Sequence, residues 1–166
     1  MGLGRAFLGD LVAIKISGAL EDASRVVEIG AQQLSDGLLQ SNDLLDELYE
    51  LFGRKRPFLG IPTGADHFTE AAPSSRVFWR SLGFDYSAID YQGDEEVVSL
   101  DMNHDEVPAR MRGAFDLVVN AGTTEHIANQ DNAFRVIHDL SARYGVMYHE
   151  VPGGAGGDHG LISYNP

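Results

Sequence analysis

Four polar side chains close four short apolar runs. Glu28 follows Arg25-Val26-Val27, Asp90 closes Tyr86-Ser87-Ala88-Ile89, Asp101 closes Val97-Val98-Ser99-Leu100, and Asn120 closes Phe115-Asp116-Leu117-Val118-Val119. Runs of this composition read as buried parallel strands. In open α/β sheets, ligands bind in the crevice beyond the carboxyl ends of the strands. The four polar groups are therefore expected along one rim. A carboxylate there can accept two hydrogen bonds from a vicinal diol, as in a ribose, and can receive the amino group of an adenine. The same negative charge opposes a pyrophosphate. Gly30, followed by Ala31-Gln32-Gln33, lets the backbone come close to a ligand but does not complete the G-x-G-x-x-G fingerprint of dinucleotide binders. An adenosine without phosphates fits this rim better than NAD does.

Histidine adds a second kind of chemistry. His126, His149 and His159 fall on the carboxyl-end side, next to Glu125, Glu150 and Asp158. Such pairs suit a general base or a divalent metal. No recognised ligand spacing is present, so no metal is expected. The plainer reading makes His126 and His149 hydrogen-bonded residues at a helix start and a strand end.

The elements that must position these groups alternate between strand and helix. Leu8, Leu11 and Ile14 predict a helix over 3–17, ended near Gly18. Residues 34–40 read as irregular, and Asp43 as the cap of a helix carrying Leu45, Leu48 and Phe52. The Gly- and Pro-rich stretch 57–73, with a turn at Ile61-Pro62-Thr63-Gly64, reads as a loop. Ser74 then caps a short helix that stops at Gly83. A helix with Ile127, Phe134, Ile137 and Leu140 on one side follows the fourth strand, and a fifth strand runs over 145–152. This alternation predicts one α/β domain over 1–166. Its architecture is Rossmann-like and doubly wound, a mainly parallel sheet with helices on both faces.

Composition narrows the classes. The formal charge is −13, and Arg54-Lys55-Arg56 is the one basic cluster, which argues against nucleic acid as partner. No apolar run reaches the roughly 20 residues of a membrane span. There is no cysteine, hence no disulfide framework and no thiolate nucleophile. A cytoplasmic protein is the expectation.

The order of the motifs resembles the class I S-adenosylmethionine-dependent methyltransferases. Val26-Val27-Glu28-Ile29-Gly30 is similar to their first motif, Ala88-Ile89-Asp90 to the second and Leu100-Asp101-Met102 to the third. Asn120 with Thr124-Glu125-His126 is similar to the fourth strand and the Glu-His that opens the next helix, and Tyr144-Gly145-Val146-Met147 to the fifth strand. The resemblance spans 25–152. It implies S-adenosylmethionine as cofactor, held by Glu28, Gly30, Ala31, Gln32, Asp90, Tyr91, Asp101, Met102 and Asn120. It implies methyl transfer to a small or medium-sized acceptor, facing Gly122, Glu125 and His159. His126 or His149 would remove a proton where the acceptor carries one. Most of the acceleration would come from holding methyl and nucleophile in line, worth on the order of 7–11 kcal/mol.

The sequence departs from the family pattern in three ways. Gln32 and Leu34 stand where further glycines are usual, so the cofactor loop must differ. Glu28 and Asp90 are 62 residues apart, against about 20 for the Rossmann arrangement, which implies an insertion around 41–75. The chain ends soon after the fifth strand, so missing C-terminal strands are expected, with self-association through an uncovered sheet edge. Two other classes stay open: a non-catalytic nucleotide-binding module or inactive remnant, and an NAD-dependent oxidoreductase or epimerase.

Overall fold

The computed structural model describes residues 2–59, 72–93, 97–153 and 160–164. The expected turn at Ile61–Gly64 and most of the 57–73 loop lie outside these residues. The chain forms two compact units, Met1–Ser24 with Gln32–Tyr86, and Arg25–Ala31 with Ser87–Pro166.

The second unit carries the sheet. Its strands are β1 (Arg25–Ile29), β2 (Asp85–Asp90), β3 (Val97–Ser99), β4 (Phe115–Ala121) and β5 (Ser141–Glu150), in the order β3-β2-β1-β4-β5. The first two residues of β2 are counted with the other unit. β1 pairs with β4, β2 with β3 and β4 with β5, each in parallel. β1 and β4 are buried almost throughout, as strands covered on both faces must be. β5, at the end of the order, is only half-buried or exposed along its length, and Tyr144 and Met147 face outward. Between Phe115 and Leu117 the β4–β5 register shifts, so that Phe115 pairs with Ser141 and Leu117 with Val146. The extra residues bulge at Tyr144, whose φ of 72° is left-handed.

The expected α/β, Rossmann-like class is correct. Helix α5 (Gln130–Leu140) packs Ala133, Val136, Ile137 and Leu140 onto Val27, Ile29, Phe115 and Val118. Because strand side chains alternate, Glu28 belongs to the other face of β1.

The first unit holds helices α1 (Arg5–Ile16), α2 (Asp36–Leu39), α3 (Asn42–Leu51) and α4 (Ser75–Leu82). Three local expectations are corrected here and in the second unit. Residues 34–40 are not irregular: Ser35 Oγ accepts the Leu38 N–H at 3.2 Å and starts α2. α3 begins at Asn42, one residue before Asp43, with Ser41 at the cap position but its hydroxyl donating to Gly37 O instead of capping. Thr124-Glu125-His126 forms a 3₁₀ turn, and α5 starts only at Gln130, where Asn129 Oδ1 accepts the Asn132 N–H at 3.1 Å. The α4 expectation holds, with Ser74 Oγ accepting from Arg76 N–H at 3.3 Å and Gly83 as the left-handed cap.

Aromatic residues fill the centre of this unit. Trp79 is fully buried and meets Phe7, Phe78 and Phe84 edge-on, with ring centroids 5.8, 5.2 and 5.5 Å away. Such contacts add to plain burial, and their loss leaves a cavity that the neighbouring rings cannot close. Trp79→Ala should therefore destabilise the fold by roughly 3–5 kcal/mol. The check is chemical denaturation of both proteins. A loss under about 1 kcal/mol would mean that the site collapses more freely than close packing allows.

Candidate functional site

The site begins where β1 leaves the sheet. Gly30 N–H still donates to Ile89 O at 2.7 Å, continuing the ladder, while its φ of 78° turns the chain away from the strand direction. A side chain at that φ would be strained. The turn presents the next amide, Ala31 N–H, to Asp90 Oδ2 at 3.0 Å. Gln92 N–H reaches the other oxygen, Oδ1, at 3.4 Å. The carboxylate is thus oriented by backbone donors and keeps lone pairs for a further partner.

Asp90 stands on the rim of a pocket of about 290 Å³. That is close to the lower end of the roughly 300–1,000 Å³ usual for small-molecule sites. Ile89, Leu100, Met102 and Ile127 give it apolar surface. Gly30, Tyr91, Asp101, Asn103, Thr123 and His126 complete the lining. Tyr91 is largely exposed, so its ring lies at the mouth.

Two asparagines hold the walls. Asn103 donates from N–H and from Nδ2 to Asp101 Oδ1, each at 2.9 Å, and these bonds hold the Asp101 carboxyl below the usual range. Asn103 Oδ1 in turn accepts Ala128 N–H and Asn129 N–H at 3.0 and 3.1 Å. The end of β3 is thereby stapled to the segment before α5. Asn132 Nδ2 donates to Met102 O at 2.8 Å and fixes the same loop from α5. On the β1 side, Thr123 Oγ1 donates to Ile29 O at 2.6 Å.

Beyond the pocket, Asn120 and His149 meet across neighbouring strand ends, paired in register with Asn120 Nδ2 and His149 Nδ1 3.2 Å apart. Phe134 stacks at 5.5 Å from the His149 ring. Partial burial lowers the His149 pKa, which favours the neutral ring. Gly122 N–H donates to Glu150 O at 2.9 Å and continues the β4–β5 ladder. Glu125 is fully buried, and its carbonyl accepts Leu161 N–H at 2.7 Å and Ile162 N–H at 3.1 Å. Gly160 lies directly over it: a Cβ there would come within 2.6 Å of Glu125 Cγ. His126, half-exposed, has its Nε2 3.9 Å from Glu125 Oε1.

Of the residues expected from the sequence, Gly30, Asp90, Tyr91, Asp101, Met102 and His126 line one pocket. Ala31 joins them through its amide. Glu28 and Gln32 are buried but do not line it, and Gln32 belongs to the first unit. Asn120, Gly122, Glu125 and His149 also stand apart from that lining. His159 lies outside the described residues. Asn103 and Thr123 escaped the sequence reading, although an Asn two residues after a strand-end Asp is a recognisable Asx-turn signal. Ile127, whose spacing predicts only a helix-face residue, lines the pocket as well. Among the described residues no group of three or more His, Asp or Glu is close enough to hold a metal. Likewise, no described helix is long and apolar enough to cross a membrane.

Comparisons with known proteins complete the description. The model of a family described as "Methyltransferase domain" matches residues 34–162. No curated protein matches the chain. Among solved structures, it is similar to the trans-methyltransferase CalH in complex with SAH. The two are 14% identical with a TM-score of 0.46, and the match covers 89% of this chain and 37% of that one. The chain thus spans little more than a third of the length of that structure. A methyltransferase-domain match over most of the chain agrees with motifs that end strands in the family's order and with an acid-rimmed pocket. The chain belongs to the methyltransferase-domain family.

Proposed function

We propose that this chain carries out methyl transfer from S-adenosylmethionine to a small or medium-sized acceptor. The observation that carries the reading is the Asp90 carboxylate, oriented by the amides of Ala31 and Gln92 on the rim of an apolar pocket. An acid held in this way accepts hydrogen bonds from a ribose diol without having to reorganise. The remaining pocket suits an adenine: Ile89, Leu100, Met102 and Ile127 offer apolar contact to its faces, and Asp101 an acceptor for its amino group. Gly30 and Ala31 form the turn along which the rest of the cofactor would run, and Tyr91 covers the mouth. When bound, S-adenosylmethionine supplies an activated methyl group.

On the acceptor side we assign His126, Glu125, Gly122, Asn120 and His149, and from the sequence alone His159. His126 lines the pocket and is half-exposed, so it can reach an incoming acceptor and take its proton. Asn120 would stand between acceptor and cofactor. Glu28 and Gln32, assigned to the cofactor from the sequence, do not line the pocket.

A chain of charge −13 suits a small molecule better than a nucleic acid as acceptor. A cytoplasmic setting fits the absence of cysteine. Self-association fits an end strand with Tyr144 and Met147 exposed.

Asp90→Ala tests the ribose contact. Charged hydrogen bonds are worth roughly 1.5–3 kcal/mol each, so affinity for S-adenosylhomocysteine should fall at least about tenfold while the fold survives. Calorimetry on wild type and variant, with NAD as a control ligand, reads this directly. Unchanged affinity in a folded variant would remove Asp90 from the site, and binding of NAD alone would overturn the cofactor assignment for this chain.

His126→Asn tests the acceptor side. Turnover on an identified protonated acceptor should drop by roughly 10²–10⁴-fold, with melting temperature and S-adenosylhomocysteine affinity held. Unchanged turnover would show that His126 removes no proton.

A further inference from the structure

Asn120 Nδ2 lies 2.8 Å from Thr124 Oγ1 and 3.2 Å from His149 Nδ1, and Asn120 Oδ1 accepts Thr124 N–H at 3.3 Å. A backbone N–H can only donate, so the Thr124 amide fixes which end of the Asn120 side chain is oxygen. The NH₂ end then faces both Thr124 Oγ1 and His149. Further from the strand, the Gln130 amide is fixed in the same manner. Its Nε2 donates to two backbone carbonyls, Thr124 O at 2.7 Å and Ile127 O at 2.5 Å, so its Oε1 must accept. The atom it meets is the Tyr164 hydroxyl, at 2.5 Å.

Tyr164 has one proton. Because the Gln130 oxygen has none to give, that proton goes to Gln130. In the 3.0 Å contact between the Tyr164 and Thr124 hydroxyls the threonine must then be the donor. Its oxygen is left to accept from Asn120. All donors and acceptors along the row are now determined: Asn120 N–H to Thr124 oxygen, Thr124 O–H to Tyr164 oxygen, Tyr164 O–H to Gln130 oxygen. The second Asn120 N–H points to His149 Nδ1, which must accept it. A proton on Nδ1 would set two donors against each other. Among the described residues His149 has no other hydrogen bond.

We infer that Asn120, its amide end fixed by the Thr124 N–H, is a positioning residue that holds His149 as its Nε2–H tautomer. His149 then offers a hydrogen-bond donor, not a proton-accepting nitrogen, at Nε2. Resting on the methyl-transfer reading, this divides the labour between the two histidines. His126 accepts a proton, and His149 binds an acceptor molecule that carries a carbonyl, carboxylate or deprotonated oxygen beside its nucleophile. The lowering of its pKa by partial burial agrees with this assignment.

The experiment is nitrogen-15 NMR on histidine-labelled protein at neutral pH, with the His149 signals identified by their loss in His149→Gln. Nδ1 should show the pyridine-type shift and Nε2 the pyrrole-type shift. The minor tautomer should be at least about tenfold less populated, the ratio that about 1.4 kcal/mol sets. Asn120→Asp presents only acceptor oxygens and should invert the two shifts. Tyr164→Phe leaves the Thr124 N–H on Asn120 Oδ1 and should keep both shifts. Should Asn120→Asp not fold, Asn120→Ala removes the donor at Nδ1 and should bring the two tautomers toward equal populations. A dominant Nδ1–H form in the wild type overturns the assignment, and unchanged shifts in folded Asn120→Asp or Asn120→Ala overturn the positioning role of Asn120. The measurement needs neither cofactor nor acceptor. It can fail while Asp90 binds S-adenosylhomocysteine, and it can succeed where Asp90 does not.

Discussion

One hydrogen bond, from Gly30 N–H to Ile89 O, decides how the site is built. It extends the sheet by a residue past the end of β1, while the left-handed φ of the same residue turns the chain out of the sheet. Without the bond, the end of β1 would carry a buried unpaired amide, which costs as much as a lost hydrogen bond. Without the turn, Ala31 N–H would not reach Asp90, and the carboxylate would lose its stronger backbone donor. The pocket's polar rim is therefore set by the backbone at the strand ends. The side chains of the surrounding loops supply apolar area and staples.

That division explains what could be read from the sequence. Strand-end acids at 90 and 101 were legible because β-branched runs, periodicity and a closing polar residue all point to one reading. The glycine at 30 was legible for the same reason. Helix starts were less so. Ser35 and Ser41 compete as caps with Asp43, and a cap is chosen by which backbone N–H groups are left over, something composition alone does not reveal. The 3₁₀ turn at Thr124–His126 was read as a helix start, because an Asn-capped helix six residues later shares its periodicity.

The contacts least visible in the sequence join distant segments. Asn103 bonds to Ala128 and Asn129, and Tyr164 to Thr124 and Gln130. No local pattern announces these pairs. Glu28 illustrates the converse. It stands in β1, one residue before the strand's end, and alternation along the strand assigns it to the sheet face away from α5. A motif fixes which residue stands at a strand end, and the pleat decides what that residue can touch.

Gly160 pressed onto Glu125, with the amides of Leu161 and Ile162 on the Glu125 carbonyl, has a consequence for the order of assembly. The pairing of β4 with β5 and the packing of α5 between them in the chain span short stretches. The Thr124–His126 wall is instead clamped by partners up to 40 residues downstream. Closing a loop of that length carries an entropic penalty that must be met before its contacts contribute. The β4–α5–β5 stretch can thus form early and leave the wall to set later. In the mature fold, the same clamp makes this wall a patch that can open separately from β4, α5 and β5.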